Sequence, residues 1–118
     1  MSEDEAGASS QSDEAGAEAL PKDWSFTSHL GEDLRGADLR GADLRQANLR
    51  AARLDGADLR QADLSEATLS LASALGADLN EAGLERADLR EANLRESTLR
   101  AASLRAADLR GADLSKAD

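Results

Sequence analysis

Asp and Arg recur two residues apart along most of this 118-residue chain. Asp stands at positions 33, 38, 43, 58, 63, 78, 88, 108 and 113, and Arg at 35, 40, 45, 50, 60, 90, 95, 100, 105 and 110. Closely spaced carboxylates can serve as a general acid and a general base, and arginines can bind carboxylate or phosphate. Here both follow a five-residue period, so the carboxylate pairs arise from the repeat and not from a built acid–base site. His29 is the sole histidine. It has no Ser–Asp arrangement beside it and reads as structural. Cysteine is absent, which removes disulfides, thiolate metal sites and cysteine nucleophiles together. The sequence has no metal-ligand cluster and no phosphate-cradling glycine loop. It therefore points to no catalytic, cofactor or metal site, and the chain reads as a non-enzyme.

The elements that carry these charges follow from the same period. From Glu32 onward, Leu holds the same place in sixteen of seventeen quintets, from Leu34 to Leu114, and the exception is Ala74. Ala stands two residues before nearly every centre, with only Glu32 and Ser97 departing, and between the two lies a polar residue, usually Asp or Asn. On an α-helix, five-residue steps rotate successive leucines by about 140°, which makes no face. In a straight strand, side chains five apart point to opposite sides. The leucines can all face inward only if the chain turns a corner once per quintet. Ala and Leu then point in, while the intervening residue and the one after Leu point out. Gly36, Gly56 and Gly76 lie at the corner position, 20 residues apart. Glycine tolerates corner geometry, so this spacing suggests four quintets per coil.

The pattern Ala37-Asp-Leu-Arg-Gly41, Ala47-Asn-Leu-Arg-Ala51 and Ala87-Asp-Leu-Arg-Glu91 resembles the pentapeptide-repeat family. The resemblance covers residues 32–118 and implies an all-β fold, a right-handed quadrilateral parallel β-helix with four quintets per coil. Seventeen quintets make slightly over four coils, a stack on the order of 20 Å tall. Four columns follow: Leu39, Leu59, Leu79 and Leu99; Leu44, Leu64, Leu84 and Leu104; Leu49, Leu69, Leu89 and Leu109; and Leu34, Leu54, Ala74, Leu94 and Leu114. Ala74 leaves a shortfall in the last.

Residues 1–21 read as a disordered acidic leader. They are mostly Ser, Glu, Asp, Ala and Gly with almost nothing to bury, and Asp4-Glu-Ala-Gly-Ala8 recurs as Asp13-Glu-Ala-Gly-Ala17. A solubilising tail is the plain reading. Residues 22–31 hold Trp24, Phe26 and Leu30, the bulky apolar residues just ahead of the repeat, and read as an N-terminal cap over the exposed core cross-section. The start, Met1 to Glu5, is acidic and leads into no apolar run, which makes the cytoplasm the expected location. No window approaches the ~20 apolar residues that cross a membrane.

Net charge is −10. Residues 1–31 carry seven acids against Lys22, and residues 32–118 carry 17 acids and 13 bases, so the repeat itself is close to balanced at −4. The best-known members of the family that the repeat resembles mimic DNA and bind DNA gyrase, protecting it from quinolones. B-DNA carries one charge per ~1.7 Å, so a stack of ~20 Å would need roughly twelve net negatives. Those members are also rich in Phe at the centre, where this chain has Leu or Ala. A DNA-mimicking modulator of gyrase or topoisomerase is thus the alternative to a protein-interaction scaffold. Direct nucleic-acid binding is not expected, because Asp columns flank the Arg columns and no aromatic residue interleaves for stacking.

Three departures from the pattern are the candidate sites. Leu71 and Leu75 fall at outward positions in mid-stack, either as a bulge that lets Leu75 fill the space beside Ala74 or as an exposed contact for an unidentified protein partner. The final coil, with Leu99, Leu104, Leu109 and Leu114, has no counterpart of the Trp24 cap. It is expected to form a head-to-head homodimer through its open edge. The cap residues Trp24, Phe26 and Leu30 are the third.

Overall fold

Every quintet ends in a left-handed residue. In the computed structural model, which describes residues 22–118, nineteen residues at five-residue intervals from Phe26 to Lys116 have φ between 57° and 74°. Each is third in a turn closed by a bond such as Ala37 N–H to the Leu34 carbonyl at 3.1 Å, the signature of a type II β-turn. At Gly36, φ +70° is free of a Cβ clash. At Ala51, φ 60° carries a cost of about 1 kcal/mol that the surrounding ladder must offset. The acidic leader falls on residues outside the described ones.

Between corners the backbone pairs with the coil above and the coil below. Parallel bridges join residues 20 apart, as in Asp38↔Asp58, Asp58↔Asp78, Arg53↔Ser73 and Asn48↔Thr68. Each rests on two bonds: at Asp33↔Arg53, Leu34 N–H donates to the Arg53 carbonyl at 2.7 Å and Arg53 N–H donates to the Glu32 carbonyl at 2.9 Å. Four corners and 20 residues therefore close one coil. We label the four sides by their first centre: side 1 begins at Trp24, side 2 at His29, side 3 at Leu34 and side 4 at Leu39.

The interior is built from two kinds of side chain. Leu44, Leu49, Leu54 and Leu64 have no exposed area, and the inward-facing alanines two residues before the centres, from Ala42 to Ala92, are also buried. Burial of each leucine contributes roughly 1.5–3 kcal/mol. Alanine beside it keeps opposing sides close enough for the leucines to meet across a narrow lumen.

The ladder begins two quintets earlier than the leucine pattern suggests. Asp23↔Asp43 and Ser28↔Asn48 are bridged like all the rest, so residues 22–31 continue the coil instead of forming a separate cap. The solenoid has just under five coils, not slightly over four. Trp24 and His29 occupy centre positions, and their rings stack at 4.2 Å between centroids. The Nδ1–H of His29 donates to Glu32 Oε1 at 2.7 Å. Trp24 packs on the core, and Leu39 in the first full coil is 1% exposed. Phe26 and Leu30 do not share this role. They fall on a corner and an outward position and are 68% and 61% exposed. The closure belongs to Trp24 with His29.

Candidate protein-interaction surface

The outer surface is organised by one recurrent hydrogen bond. The amide of the residue after each centre has no backbone acceptor in the ladder. In Asp-Leu-Arg and Asn-Leu-Arg quintets, the residue before the centre supplies one. The Oδ1 atoms of Asp33, Asp38, Asn48, Asp58, Asp88 and Asn93 accept these N–H groups at 3.0–3.3 Å. This is the physical reason for Asp or Asn at that place: a short side chain that bonds the backbone two residues on.

Arginine then closes a second ring on the same carboxylate. In Asp38–Arg40, Nε donates to Oδ1 at 2.9 Å and Nη2 to Oδ2 at 2.8 Å. The same fork recurs at Asp33–Arg35, Asp43–Arg45, Asp58–Arg60, Asp88–Arg90 and Asp108–Arg110. On side 4 like charges stack, Asp38 over Asp58 over Asp78 and Arg40 over Arg60, but Arg40 also lies 3.7 Å from Asp58 and Arg60 3.6 Å from Asp78, so each row is offset by its neighbour. The forked arginines hold the carboxyls below their ordinary range: Asp38 and Asp108 are lowered to about 2, and Asp33, Asp43, Asp58 and Asp88 move the same way. A carboxylate held ionised and neutralised in this way is a poor proton donor near neutral pH.

Leu71 and Leu75 interrupt this surface without interrupting the coil. Ala74 N–H donates to the Asn93 carbonyl at 2.7 Å, and Gly76 N–H to the Arg95 carbonyl at 2.9 Å. Of the two alternatives the sequence leaves open there, the bulge is absent. Leu75 does not turn inward beside Ala74, because an unbroken ladder fixes its outward position. Leu71 is 46% exposed at its corner and Leu75 is 39% exposed. Ser73 lies between them in place of the usual Asp, so the Leu75 amide lacks its local acceptor. Asp55, directly above in the column, accepts it instead at 2.9 Å and also takes the Ser73 hydroxyl. Asp55 went unnoticed in the sequence, although it stands where Arg usually follows the centre.

The same arrangement occurs once more. Phe26-Thr-Ser28-His29-Leu30-Gly31 and Leu71-Ala-Ser73-Ala74-Leu75-Gly76 share an apolar corner, an outward Ser, a centre that is not Leu, and an outward Leu before a Gly corner. At the opposite end, Leu99, Leu104 and Leu109 are partly covered and Leu114 is 37% exposed. Among the described residues, the amides of Leu104, Leu109 and Leu114 find no backbone acceptor, unlike their counterparts one coil above.

A family model described as pentapeptide repeats matches in eight copies, over residues 33–70, 47–86, 57–95 and 83–118. No curated protein matches the chain. Among solved structures, a pentapeptide repeat protein from the Arabidopsis thaliana thylakoid lumen is 34% identical with a TM-score of 0.65. The match covers 82% of this chain and 64% of that one, so this chain spans a little under two thirds of the plant protein's length. Rfr23, a pentapeptide repeat protein from the cyanobacterium Cyanothece, is 25% identical over 82% of this chain and 84% of that one, with a TM-score of 0.49. A trypsin-treated QnrB1, a plasmid-mediated fluoroquinolone resistance protein, is 17% identical over 82% of this chain and 72% of that one, with a TM-score of 0.48. The coil is accordingly a right-handed β-helix solenoid.

Proposed function

This chain belongs to the pentapeptide-repeat family, and on that premise we propose that it is a non-catalytic scaffold whose protein partner contacts the Leu71–Leu75 step. One observation carries the reading. Two leucines stand outward in mid-stack on an intact ladder, where neither contributes to the core. Apolar side chains held out by a rigid backbone lose little freedom on binding, which favours their use as anchors. The forked Asp–Arg rows around them are internally satisfied and suit a solvated surround, since exposed pairs of this kind contribute little individually.

The alternative, a DNA-mimicking modulator of gyrase or topoisomerase, has less support. A mimic must present uncompensated negative charge, and here six aspartates are each forked by an arginine. The pairing we propose for the C-terminal coil is a head-to-head homodimer through Leu99, Leu104, Leu109 and Leu114. At Leu104, Leu109 and Leu114 an unpaired N–H and the carbonyl two residues before it flank one residue, which is the donor–acceptor pattern of an antiparallel bridge, whereas the Leu99 amide is already bonded to the Asp118 carbonyl.

The contact reading is tested by placing a photo-crosslinker at position 71 or, as a control, at position 86 in the protein expressed in its host. Capture of a defined protein from position 71 and not from 86 is the expected result. Equal capture from both, or none from 71, would overturn it.

A further inference from the structure

Leu30 and Leu71 lie on one corner of the solenoid, between sides 2 and 3. The bridges Ser28↔Asn48 and Asn48↔Thr68 stack the quintets that end at Gly31, Ala51 and Leu71. The two leucines are therefore two layers apart, roughly 10 Å along the axis. Both are exposed. In the layer between them stand Arg50, on the same corner, and Arg53, on the adjoining side 3. Arg50 reaches toward the lower layer, where its Nη1 donates to Ser70 Oγ at 2.9 Å.

These two arginines differ from the forked ones. Among the described residues, neither has a carboxylate oxygen within 4 Å. Asp33, above Arg53 in its column, is already forked by Arg35. Asp55 is bonded to Ser73 and to the Leu75 amide. The corner thus carries two apolar anchors with two guanidiniums between them that have no carboxylate partner among the described residues, on a chain whose net charge is −10.

We infer that this corner receives an amphipathic α-helix lying along the solenoid axis, with apolar side chains seven residues apart and a carboxylate between them. This rests on the scaffold reading and specifies the partner's chemistry. Seven helical residues rise about 10.5 Å, close to the two-layer spacing. Residues three or four along the same helix face come level with Arg50 and Arg53, where a carboxylate gains charge-assisted hydrogen bonds. An extended strand matches poorly. About 10 Å of strand is three residues, and side chains three apart point to opposite faces. A second copy of this chain offers no helix among its described residues.

The test is selection of a displayed library of helical peptides, about 16 residues long, on the full chain. Enriched peptides are then titrated against wild type, Leu71→Ser, Leu30→Ser and Arg53→Gln. The expected result is apolar residues at i and i+7 with Asp or Glu at i+3 or i+4. Affinity should fall about tenfold with either serine variant, and Arg53→Gln should weaken binding and flatten its salt dependence. If Leu71→Ser does not fold, Leu30→Ser gives the same readout from the other anchor. Enrichment without this spacing, affinity unchanged by these variants, or no binder at all would overturn the inference. Binders that map elsewhere on the coil would overturn it while leaving the scaffold reading intact, since that reading is judged by crosslinking at position 71.

Discussion

Asp55 accepts the backbone N–H of Leu75 from one coil above, at 2.9 Å. In most quintets this amide is bonded by its own Asp or Asn, and Ser73 has removed that option. The substitution at one position is thus compensated 18 residues earlier. Asp55→Ala leaves the Leu75 amide without a protein acceptor, and a lost bond of this kind costs about 1 kcal/mol. Thermal melting should show this loss, with restoration by Asp55→Ala combined with Ser73→Asp. No change in either variant would mean that solvent satisfies the amide.

Acid should not weaken the fold until the pH falls below the ordinary carboxylate range. Asp38 and Asp108 titrate at about 2 when folded, against about 3.9 unfolded. A depressed folded pKa contributes stability that is present above the unfolded value and lost as pH falls toward the folded one. The melting temperature should therefore be flat from about pH 8 to about pH 5 and decline between about pH 4 and pH 2. A decline between neutrality and pH 5 would contradict the attribution of the acid sensitivity to the forked aspartates.

Ala74 stands between Leu54 and Leu94 in the side 3 column, and neither nearby leucine moves in beside it. Restoring the repeat with Ala74→Leu adds three carbons to an apolar site. Stability should rise by up to about 2 kcal/mol, read by urea unfolding at constant slope. A loss of stability would show that the surrounding side chains have already closed the space.

The C-terminal coil should associate through its edge. Light scattering at micromolar concentration is expected to give the mass of two chains, and Leu109→Arg the mass of one. A single-chain mass for wild type would remove the dimer.

Much of this architecture was legible because Leu marks every centre but Ala74 from Leu34 onward, and a five-residue period permits few geometries. The coil at residues 22–31 was not, because Trp24 and His29 replace Leu and Lys22 and Thr27 replace Ala. The surviving signals there were Asp23-Trp24-Ser25, which matches Asp63-Leu64-Ser65 in its outward pair, and Gly31, five residues before Gly36. The outward placement of Phe26 and Leu30 was missed for the same reason: without the register they look like cap hydrophobics. Leu71 and Leu75 were identified from the sequence, but whether they turned in depended on the ladder. That ladder holds at Ala74 because its bonds come from backbone in adjacent coils and not from the missing leucine.

The proposed scaffold function requires Leu71 and Leu75 to be contact residues and not core residues. The direct measurement is the Leu71→Asp/Leu75→Asp double variant, followed for both thermal melting and capture of the protein crosslinked from position 71. A melting temperature within a few degrees of wild type, with capture abolished, is the result the structure predicts. Loss of the cooperative transition, or undiminished capture by a folded variant, would contradict it.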